Sequence, residues 1–247
     1  MLIKAKALTD FRLDSLNGEV GRVQELYFDD KHWTIRYLVA DTGDWLPGRK
    51  VLISPYALGA VSLDQRNIHV GLTKEQIEKS PPLEDHKPVS RQFEELYYRY
   101  HDWPAYWSGP NPWGAFPYVE TDRERWAKPS HNEEPHEYHL RSTRDVSGHQ
   151  VEATDGVIGH IDDFIIQDRS WAIRYLVVDT TDWWGGHKVL IAPRWIDRIS
   201  WVENKVHIGM TRAAIQASPP YDPKALLHRD YEARLHRHYD RWTYWGE

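Results

Sequence analysis

The chain has 247 residues, of which 40% are hydrophobic and 28% charged, and its formal net charge is −6. This composition is typical of a globular protein, and the acidic balance makes direct nucleic-acid binding unlikely because that requires a basic face. The absence of cysteine excludes disulfides, thiolate metal sites and thiol catalysis. No apolar run approaches the roughly 20 residues of a membrane-spanning helix. The sequence therefore predicts a cytoplasmic protein without a transmembrane segment.

The first half of the chain reads as short strands separated by turns. Residues 2–13 predict a first short strand, and Asn17-Gly18 favours a turn because both residues tolerate positive φ. Residues 20–28 predict one or two strands around Gly21. Trp33–Ala40, rich in β-branched and aromatic residues, predicts the central strand of the resulting hairpin.

Further short elements follow. Residues 50–54 predict a buried strand, and residues 61–63 and 68–70 predict a second hairpin. Thr73, with Gln76 three residues later, predicts a capping box at the start of a short helix. Short, evenly spaced strands of this kind favour a small closed barrel.

An aromatic segment ends this half. Residues 91–101 predict an amphipathic helix with one face formed by Phe93, Leu96, Tyr97 and Tyr100. The aromatic tail Trp103–Gly109 follows. Residues 110–138 carry five prolines and many charges, which predicts an extended or partly disordered linker.

The second half repeats the first. WTIRYLVADTGD at Trp33–Asp44 recurs as WAIRYLVVDTTD at Trp171–Asp182, 138 positions later and without a gap. The same offset pairs Tyr106-Trp107 with Tyr244-Trp245, so the duplicated unit includes the tail. We therefore predict two domains, residues 1–109 with a core of about 15–82 and residues 139–247 with a core of about 153–220, joined by the linker 110–138.

Several of the repeated motifs resemble those of one family. Gly18–Val23 reads GEVGRV and Gly156–Ile161 reads GVIGHI, and each is followed by an acidic turn, the IRYLV strand, a VLI strand with a nearby proline, and a final T-x-x-x-I-x-x-S-P segment. This order resembles the PRC-barrel domain, the small β-barrel of the photosynthetic reaction centre H subunit and of the C-terminal half of the ribosome-maturation factor RimM. The resemblance implies a mainly β fold with two barrels of about six strands each, with short C-terminal helices and aromatic tails.

The resemblance implies a docking module without a catalytic motif. We expect a non-enzymatic scaffold for an unidentified protein partner, with no cofactor. Two alternatives stay open: an RNA-protein assembly factor resembling the ribosome-maturation members, or a peripheral subunit of a photosynthetic or other membrane electron-transport complex resembling the bacterial H subunit. We also expect the two barrels to pair as a pseudo-twofold dimer within the chain, and the sequence leaves room for a homo-oligomer.

The repeated loops carry the sharpest polar candidates for an interaction site. They are Asp41, Asp44 and Trp45 in the first copy and Asp179, Asp182 and Trp183 in the second. In a functional reading, each loop is an exposed binding loop with a tryptophan anchor. In a structural reading, the aspartates cap their own backbone and the tryptophan covers the barrel mouth.

Two arginines and two tail tryptophans are the remaining candidates for an interaction site. Arg36 and Arg174 lie within apolar strands, where alternation predicts that they face outward or into a dimer interface. Trp107 and Trp245 either bind a partner or pack within the chain, on their own or on the sibling barrel, and we favour packing within the chain because an exposed tryptophan is a liability. Histidines such as His136 and His139 lack the spacing of known metal motifs, so we expect no metal site.

Overall fold

The computed structural model describes residues 1–47, 49–82, 89–115, 117–119, 139–181 and 187–245. These residues divide into two compact units. Unit 1 comprises Met1, Ile3–Arg144 and Gln167–Ala172, and unit 2 comprises Leu2, Asp145–Ile166 and Ile173–Glu247, each over its described residues.

The start of the predicted linker belongs to unit 1. Of residues 110–138, only 110–115 and 117–119 are described, and the others lie outside the described residues. Trp113 is 1% exposed, so these residues contribute to the core of unit 1. A single large aromatic side chain is sufficient to bury such a segment despite its proline content.

Unit 1 contains one sheet, and its strands begin close to the predicted positions. The sheet contains β2 (Arg12–Ser15), β3 (Gly18–Asp29), β4 (Thr34–Asp41), β5 (Val51–Ile53), β6 (Leu58–Ser62) and β7 (Asn67–Val70), with β8 (Leu140–Ser142) much later in the chain. The first strand, β1 (Leu2–Lys4), is not part of this sheet. The sheet order is β5-β4-β3-β2-β7-β6, and β8 also pairs with β3. The parallel pair β2 and β7 joins the first and last hairpins, which gives the sheet its barrel-like form.

Unit 2 repeats this order. Its strands are β9 (Gln150–Ala153), β10 (Gly156–Gln167), β11 (Ile173–Asp179), β12 (Lys188–Ile191), β13 (Ile196–Ser200) and β14 (Lys205–Ile208). They follow the order β12-β11-β10-β9-β14-β13, again with a parallel pair between the first and last strands. The repeat seen in the sequence is thus a repeat of strand order, and the mainly β fold is confirmed.

Strand β4 is buried along its length. Every residue from Thr34 to Ala40 is at most 1% exposed. Continuous burial of this kind indicates that both faces of the strand are covered. Trp33, predicted as the first residue of the strand, instead lies in the preceding turn with φ of 51°, and its ring stacks on Phe28.

Short helices flank the sheets. The helices are Ala5–Leu8, Lys74–Glu78, Arg91–His101, Thr143–Val146, Arg212–Gln216 and Arg229–His238, with 3-10 turns at Pro55–Ala57 and Pro193–Trp195. The capping box of Thr73 and Gln76 is confirmed. We call Arg91–His101 and Arg229–His238 the tail helices because an aromatic tail follows each of them.

The predicted face of the first tail helix shares only Tyr97 with the face that is buried. Leu96 and Tyr100 are 54% and 42% exposed. The buried residues are instead Glu94, Tyr97, Tyr98 and His101. Their i, i+3, i+4, i+7 spacing is that of one helical face, but it includes a carboxylate that a purely apolar pattern passes over.

Two glycines permit a close crossing of strands. Gly21 and Gly159 have φ of 133° and 148°. A Cβ atom at Gly21 would lie 2.1 Å from the carbonyl oxygen of Asp41, and one at Gly159 would lie 1.9 Å from that of Asp179. No other residue type fits either position without moving backbone.

Substitution of Gly21 tests this crossing. We expect Gly21→Ala to lower the free energy of unfolding by about 3 kcal/mol, because it adds a backbone clash to an unfavourable φ. Gly43 is the matched control, since it also has positive φ but nothing within 4 Å of a Cβ atom. Gly43→Ala should cost only about 1 kcal/mol. Equal losses in urea unfolding would contradict the close crossing.

Candidate functional site

The acidic loops after β4 and β11 cap their own backbone. Oδ1 of Asp41 accepts a hydrogen bond from the N–H of Gly43 at 3.0 Å, and Oδ1 of Asp179 accepts one from the N–H of Thr181 at 2.9 Å. These turns support the structural reading of the loops. Burial alone would raise the pKa of Asp179, but hydrogen bonds from Thr181 and the charge of Lys188 lower it.

The remaining loop candidates are only partly described. Asp44 is exposed, and Trp45 is half-buried. The ammonium group of Lys74 lies 4.6 Å from the centroid of the Trp45 ring. Asp182 and Trp183 lie outside the described residues. The structure therefore brings Trp45 to the short helix that begins at Lys74.

The prediction that Arg36 faces outward is wrong. Arg36 is 0% exposed, and its Nη2 lies 2.6 Å from Oδ2 of Asp29. Its guanidinium carbon lies 3.7 Å from the ring centroid of Tyr106 and 4.7 Å from that of Trp113. Strand alternation assumes an open outer face, but here the aromatic tail and the residues after it cover that face.

Asp29 makes the burial of Arg36 tolerable. It also accepts hydrogen bonds from the N–H groups of Lys31 and His32, at 2.8 and 3.0 Å. Burial by itself would raise the pKa of Asp29, but the hydrogen bond with the His32 ring and the charge of Arg36 hold it well below its usual range. The carboxylate is therefore ionised and neutralises the buried guanidinium.

Arg174 has different surroundings in unit 2. It is half-buried, and its guanidinium carbon lies 4.2 Å from the ring centroid of Tyr244. At the position equivalent to Asp29, 138 residues later, the sequence has Gln167. The repeat keeps the stacked tyrosine but replaces the buried carboxylate with a neutral side chain.

Each aromatic tail contacts the tail helix of its own unit. Trp107 stacks 4.3 Å from the guanidinium of Arg91, and Trp245 lies 4.2 Å from that of Arg229. The two tails nevertheless differ in exposure. Trp245 is 38% exposed, and its neighbour Trp242 is 86% exposed.

A buried carboxylate organises each tail, and the sequence reading did not identify it as a site. Oε1 of Glu94 accepts hydrogen bonds from the hydroxyls of Tyr37 and Tyr106, at 3.1 and 2.6 Å. Nη1 of Arg91 lies 2.9 Å from its Oε2. We call Glu94 and these three partners the first carboxylate cluster.

Unit 2 contains the equivalent second carboxylate cluster. Oε1 of Glu232 accepts hydrogen bonds from Tyr175 and Tyr244, at 3.0 and 2.8 Å. Nη1 of Arg229 lies 3.4 Å from Oε2 of Glu232. Each cluster therefore ties a central strand, a tail helix and a tail to a single carboxyl group.

Burial dominates the electrostatics of both carboxyl groups. It raises the pKa of Glu94 and of Glu232, although the neighbouring arginines and tyrosine hydroxyls act in the opposite direction. Glu94 is 3% exposed and Glu232 1% exposed, so neither offers a surface to a substrate. Their hydrogen bonds to the tail tyrosines indicate that the two carboxyl groups hold the tails in place.

One substitution distinguishes the clusters. Unit 1 has Tyr98 where unit 2 has His236. His236 is buried, with Nε2 2.9 Å from the hydroxyl of Tyr175 and Nδ1 2.8 Å from the carbonyl oxygen of Trp242. In unit 2, an imidazole thus lies within hydrogen-bond distance of the tyrosine on the central strand.

A sequence signal for these clusters was present. Glu94 and Glu232 lie 138 positions apart, as do Arg91 and Arg229. A charged residue on the same helical face as aromatic residues is a candidate buried group when that face packs on a sheet. The periodicity of the apolar residues alone favoured a different helical face, so the buried carboxylates were not predicted.

Two other kinds of feature are absent from the described residues. In the described part of the chain, no group of three or more His, Cys, Asp or Glu side chains is arranged to hold a metal ion. Within those same residues, no helix has the length and apolar character needed to cross a membrane.

Removal of Glu94 tests its role in the first cluster. We expect Glu94→Ala to lower the free energy of unfolding by about 3 kcal/mol, because two buried hydroxyls lose their acceptor. The neighbouring Glu95 is exposed, and Glu95→Ala should change the stability by less than about 0.5 kcal/mol. Urea unfolding of both variants measures the difference, and similar small losses would argue against an organising carboxylate.

Comparison with known proteins bears on the fold. Residues 14–77 match the family model described as PRC-barrel domain. No curated protein matches the chain. The matched residues run from β2 through β7 to the short helix that follows, which is the full main path of the first sheet. Residues 14–77 are thus similar to a PRC-barrel domain, and the second half of the chain repeats the strand order of the first.

Proposed function

We propose that the protein is a non-enzymatic scaffold that binds a partner protein through the aromatic tail of unit 2. A PRC-barrel domain is consistent with a protein-interaction module. The observation that carries the proposal is the 86% exposure of Trp242. Tryptophan and arginine are the residue types that contribute most often to binding energy at protein interfaces.

The backbone of Trp242 is anchored although its ring is exposed. Its carbonyl oxygen lies 2.8 Å from Nδ1 of His236 and accepts a hydrogen bond from Nη1 of Arg194 at 3.5 Å. Arg194 and Arg241 are both exposed beside it. A side chain on an anchored backbone has less backbone freedom to lose on binding, which favours its use as a docking point.

The comparison with unit 1 supports a specific role for this surface. The first copy has Trp103 where the second has Arg241, and Tyr56 where the second has Arg194. Trp103 and Tyr56 are buried and stack on each other at 5.8 Å. Unit 2 therefore has two exposed cations at positions where unit 1 buries two aromatic rings.

RNA-protein assembly is the second candidate, since exposed arginine and tryptophan side chains also contact phosphates and bases. The net charge of −6 favours a protein partner over direct RNA contact. The membrane electron-transport alternative, the cytoplasmic location, the pairing of the two barrels and self-association all stay predictions.

Capture from the native cell with matched variants tests the proposal. We expect Trp242→Ala to weaken partner binding by about 2 kcal/mol, or about 30-fold in Kd, because a central tryptophan is lost. Val202→Ala is the control, since Val202 is 96% exposed in the same unit. The proposal fails if wild type and Trp242→Ala retain the same proteins with equal affinity.

The identity of the captured proteins ranks the alternatives. Ribosomal proteins lost specifically with Trp242→Ala would favour the assembly role. Subunits of a membrane complex lost in the same way would favour the electron-transport role. Binding that survives nuclease treatment would argue for direct protein contact over capture through RNA.

A further inference from the structure

His236 connects the tail of unit 2 to a buried polar path. Its Nδ1 lies 2.8 Å from the carbonyl oxygen of Trp242, and its Nε2 lies 2.9 Å from the hydroxyl of Tyr175. That hydroxyl also lies 3.0 Å from Oε1 of Glu232. The path therefore runs from the tail backbone through an imidazole and a phenol to a carboxyl group.

The hydrogens on this path can be counted. A carbonyl oxygen only accepts, so Nδ1 of His236 must carry a hydrogen, and in a neutral ring Nε2 is then an acceptor. The hydroxyl of Tyr175 has one hydrogen, which serves either Nε2 or the carboxylate of Glu232. With a neutral imidazole and an ionised carboxylate, one of the two contacts has no hydrogen.

One added proton completes the path in either of two ways. A protonated Glu232 donates to the oxygen of Tyr175, whose own hydrogen then serves Nε2. Alternatively, a doubly protonated His236 donates from Nε2 to that oxygen, whose hydrogen then serves the carboxylate. In both arrangements every contact from the Trp242 carbonyl to Glu232 is a hydrogen bond.

We propose that His236, Tyr175 and Glu232 form a proton-operated clasp, in which one bound proton fixes the tail residues 241–245 to unit 2. Without that proton the hydroxyl of Tyr175 cannot bridge His236 and Glu232, which frees the imidazole that holds the Trp242 carbonyl and so loosens the tail. The clasp is a property of the free protein, so it does not depend on the scaffold role proposed above.

Charged and titratable groups face the path from every element packed against it. They are Arg174 and Tyr175 on β11, Arg194 in the 3-10 turn, Arg229, Glu232, His236 and Tyr239 on the tail helix, and Tyr244 on the tail. Burial raises the pKa of Glu232. Burial, assisted by the charge of Arg194, lowers the pKa of His236. Every contact of the path is a hydrogen bond whichever of the two groups holds the added proton.

The direction of the pH effect follows from the hydrogen count on the path, which is complete only with the added proton. The tail should therefore be tight at lower pH and looser at higher pH. The raised pKa of Glu232 acts in the same sense on global stability: that contribution is fully present below the ordinary value of 4.5 and is lost as the pH rises through the folded value, although Tyr244 and Arg229 oppose the rise. The lowered pKa of His236 acts in the opposite sense on global stability, so the tail itself must be measured.

Unit 1 provides a natural contrast. Tyr98, at the position of His236, has its hydroxyl 3.2 Å from Oγ of Ser54. Tyr37 and Tyr106 each donate their single hydrogen to Glu94. Each phenol hydrogen on Glu94 already has an acceptor and no imidazole competes for it, so the first cluster needs no extra proton.

Hydrogen exchange of the tail amides at about pH 5 and about pH 8, corrected for intrinsic rates, tests the clasp. We expect the wild-type protein to lose protection about tenfold at the higher pH, because a hydrogen bond within a charged network is lost. Glu232→Gln places an N–H donor beside Tyr175 without a proton, so its protection should not change with pH. Glu94→Gln is the control and should leave the response of this tail as in wild type.

The response of the wild-type tail and that of Glu232→Gln together decide whether the clasp exists. Equal protection of the wild-type tail at both pH values, or a wild-type response in Glu232→Gln, overturns the clasp. Exchange of the β10 and β11 amides checks that each variant is folded. If Glu232→Gln does not fold, His236→Tyr gives the second arm, since it introduces the residue of unit 1 and should also abolish the response.

A measurement on the wild-type protein alone completes the test. Nitrogen NMR shifts of His236 report which ring nitrogen carries the hydrogen. Protonation at Nδ1 at the higher pH supports the clasp, whereas a neutral ring protonated only at Nε2 overturns it, because Nδ1 could not then donate to the carbonyl of Trp242.

Discussion

The hydrogen bonds of one buried carboxyl group hold three parts of each unit together. In unit 1, Glu94 accepts from Tyr37 on the central strand and from Tyr106 on the tail, and it pairs with Arg91 on its own helix. A carboxylate is costly to bury unless its oxygens are satisfied, so each partner is needed. The same bonds place the Tyr106 ring over Arg36, which explains why an arginine is tolerated in the most buried strand.

The backbone framework was largely predictable from sequence, because it rests on local rules. Turn residues, a capping box and β-branched runs marked the elements, whereas the close crossing at Gly21 was visible only in the structure. The burial of Arg36 was not predictable by these rules. One of the rings that cover Arg36 belongs to Trp113, which lies in a proline-rich stretch. Composition indicates how stiff such a segment is, but it does not show whether one of its side chains is buried in a core. The roles of Glu94 and Glu232 could be predicted only if it were known which face of each tail helix packs against the sheet.

The two units share a framework and differ in what they bury around it. Tyr56 and Trp103 extend the aromatic core of unit 1, whereas Arg194 and Arg241 stand at these positions in unit 2 and are exposed. Strand order, glycines and carboxylate clusters are retained, so the differences are confined to side chains around the tails. A duplicated domain can change one surface in this way without loss of stability, because the other copy and the shared framework are unaffected.

A histidine in place of Tyr98 gives unit 2 a property that its framework alone does not have. A phenol in a fixed network keeps its hydrogen across the physiological range, whereas an imidazole joined to a carboxyl group makes the hydrogen count depend on pH. The path ends on the carbonyl group of the residue that carries the most exposed tryptophan of the second tail. If a partner binds Trp242 in its anchored position, partner binding and proton binding stabilise the same state. Thermodynamic linkage then requires that each strengthens the other by the same factor.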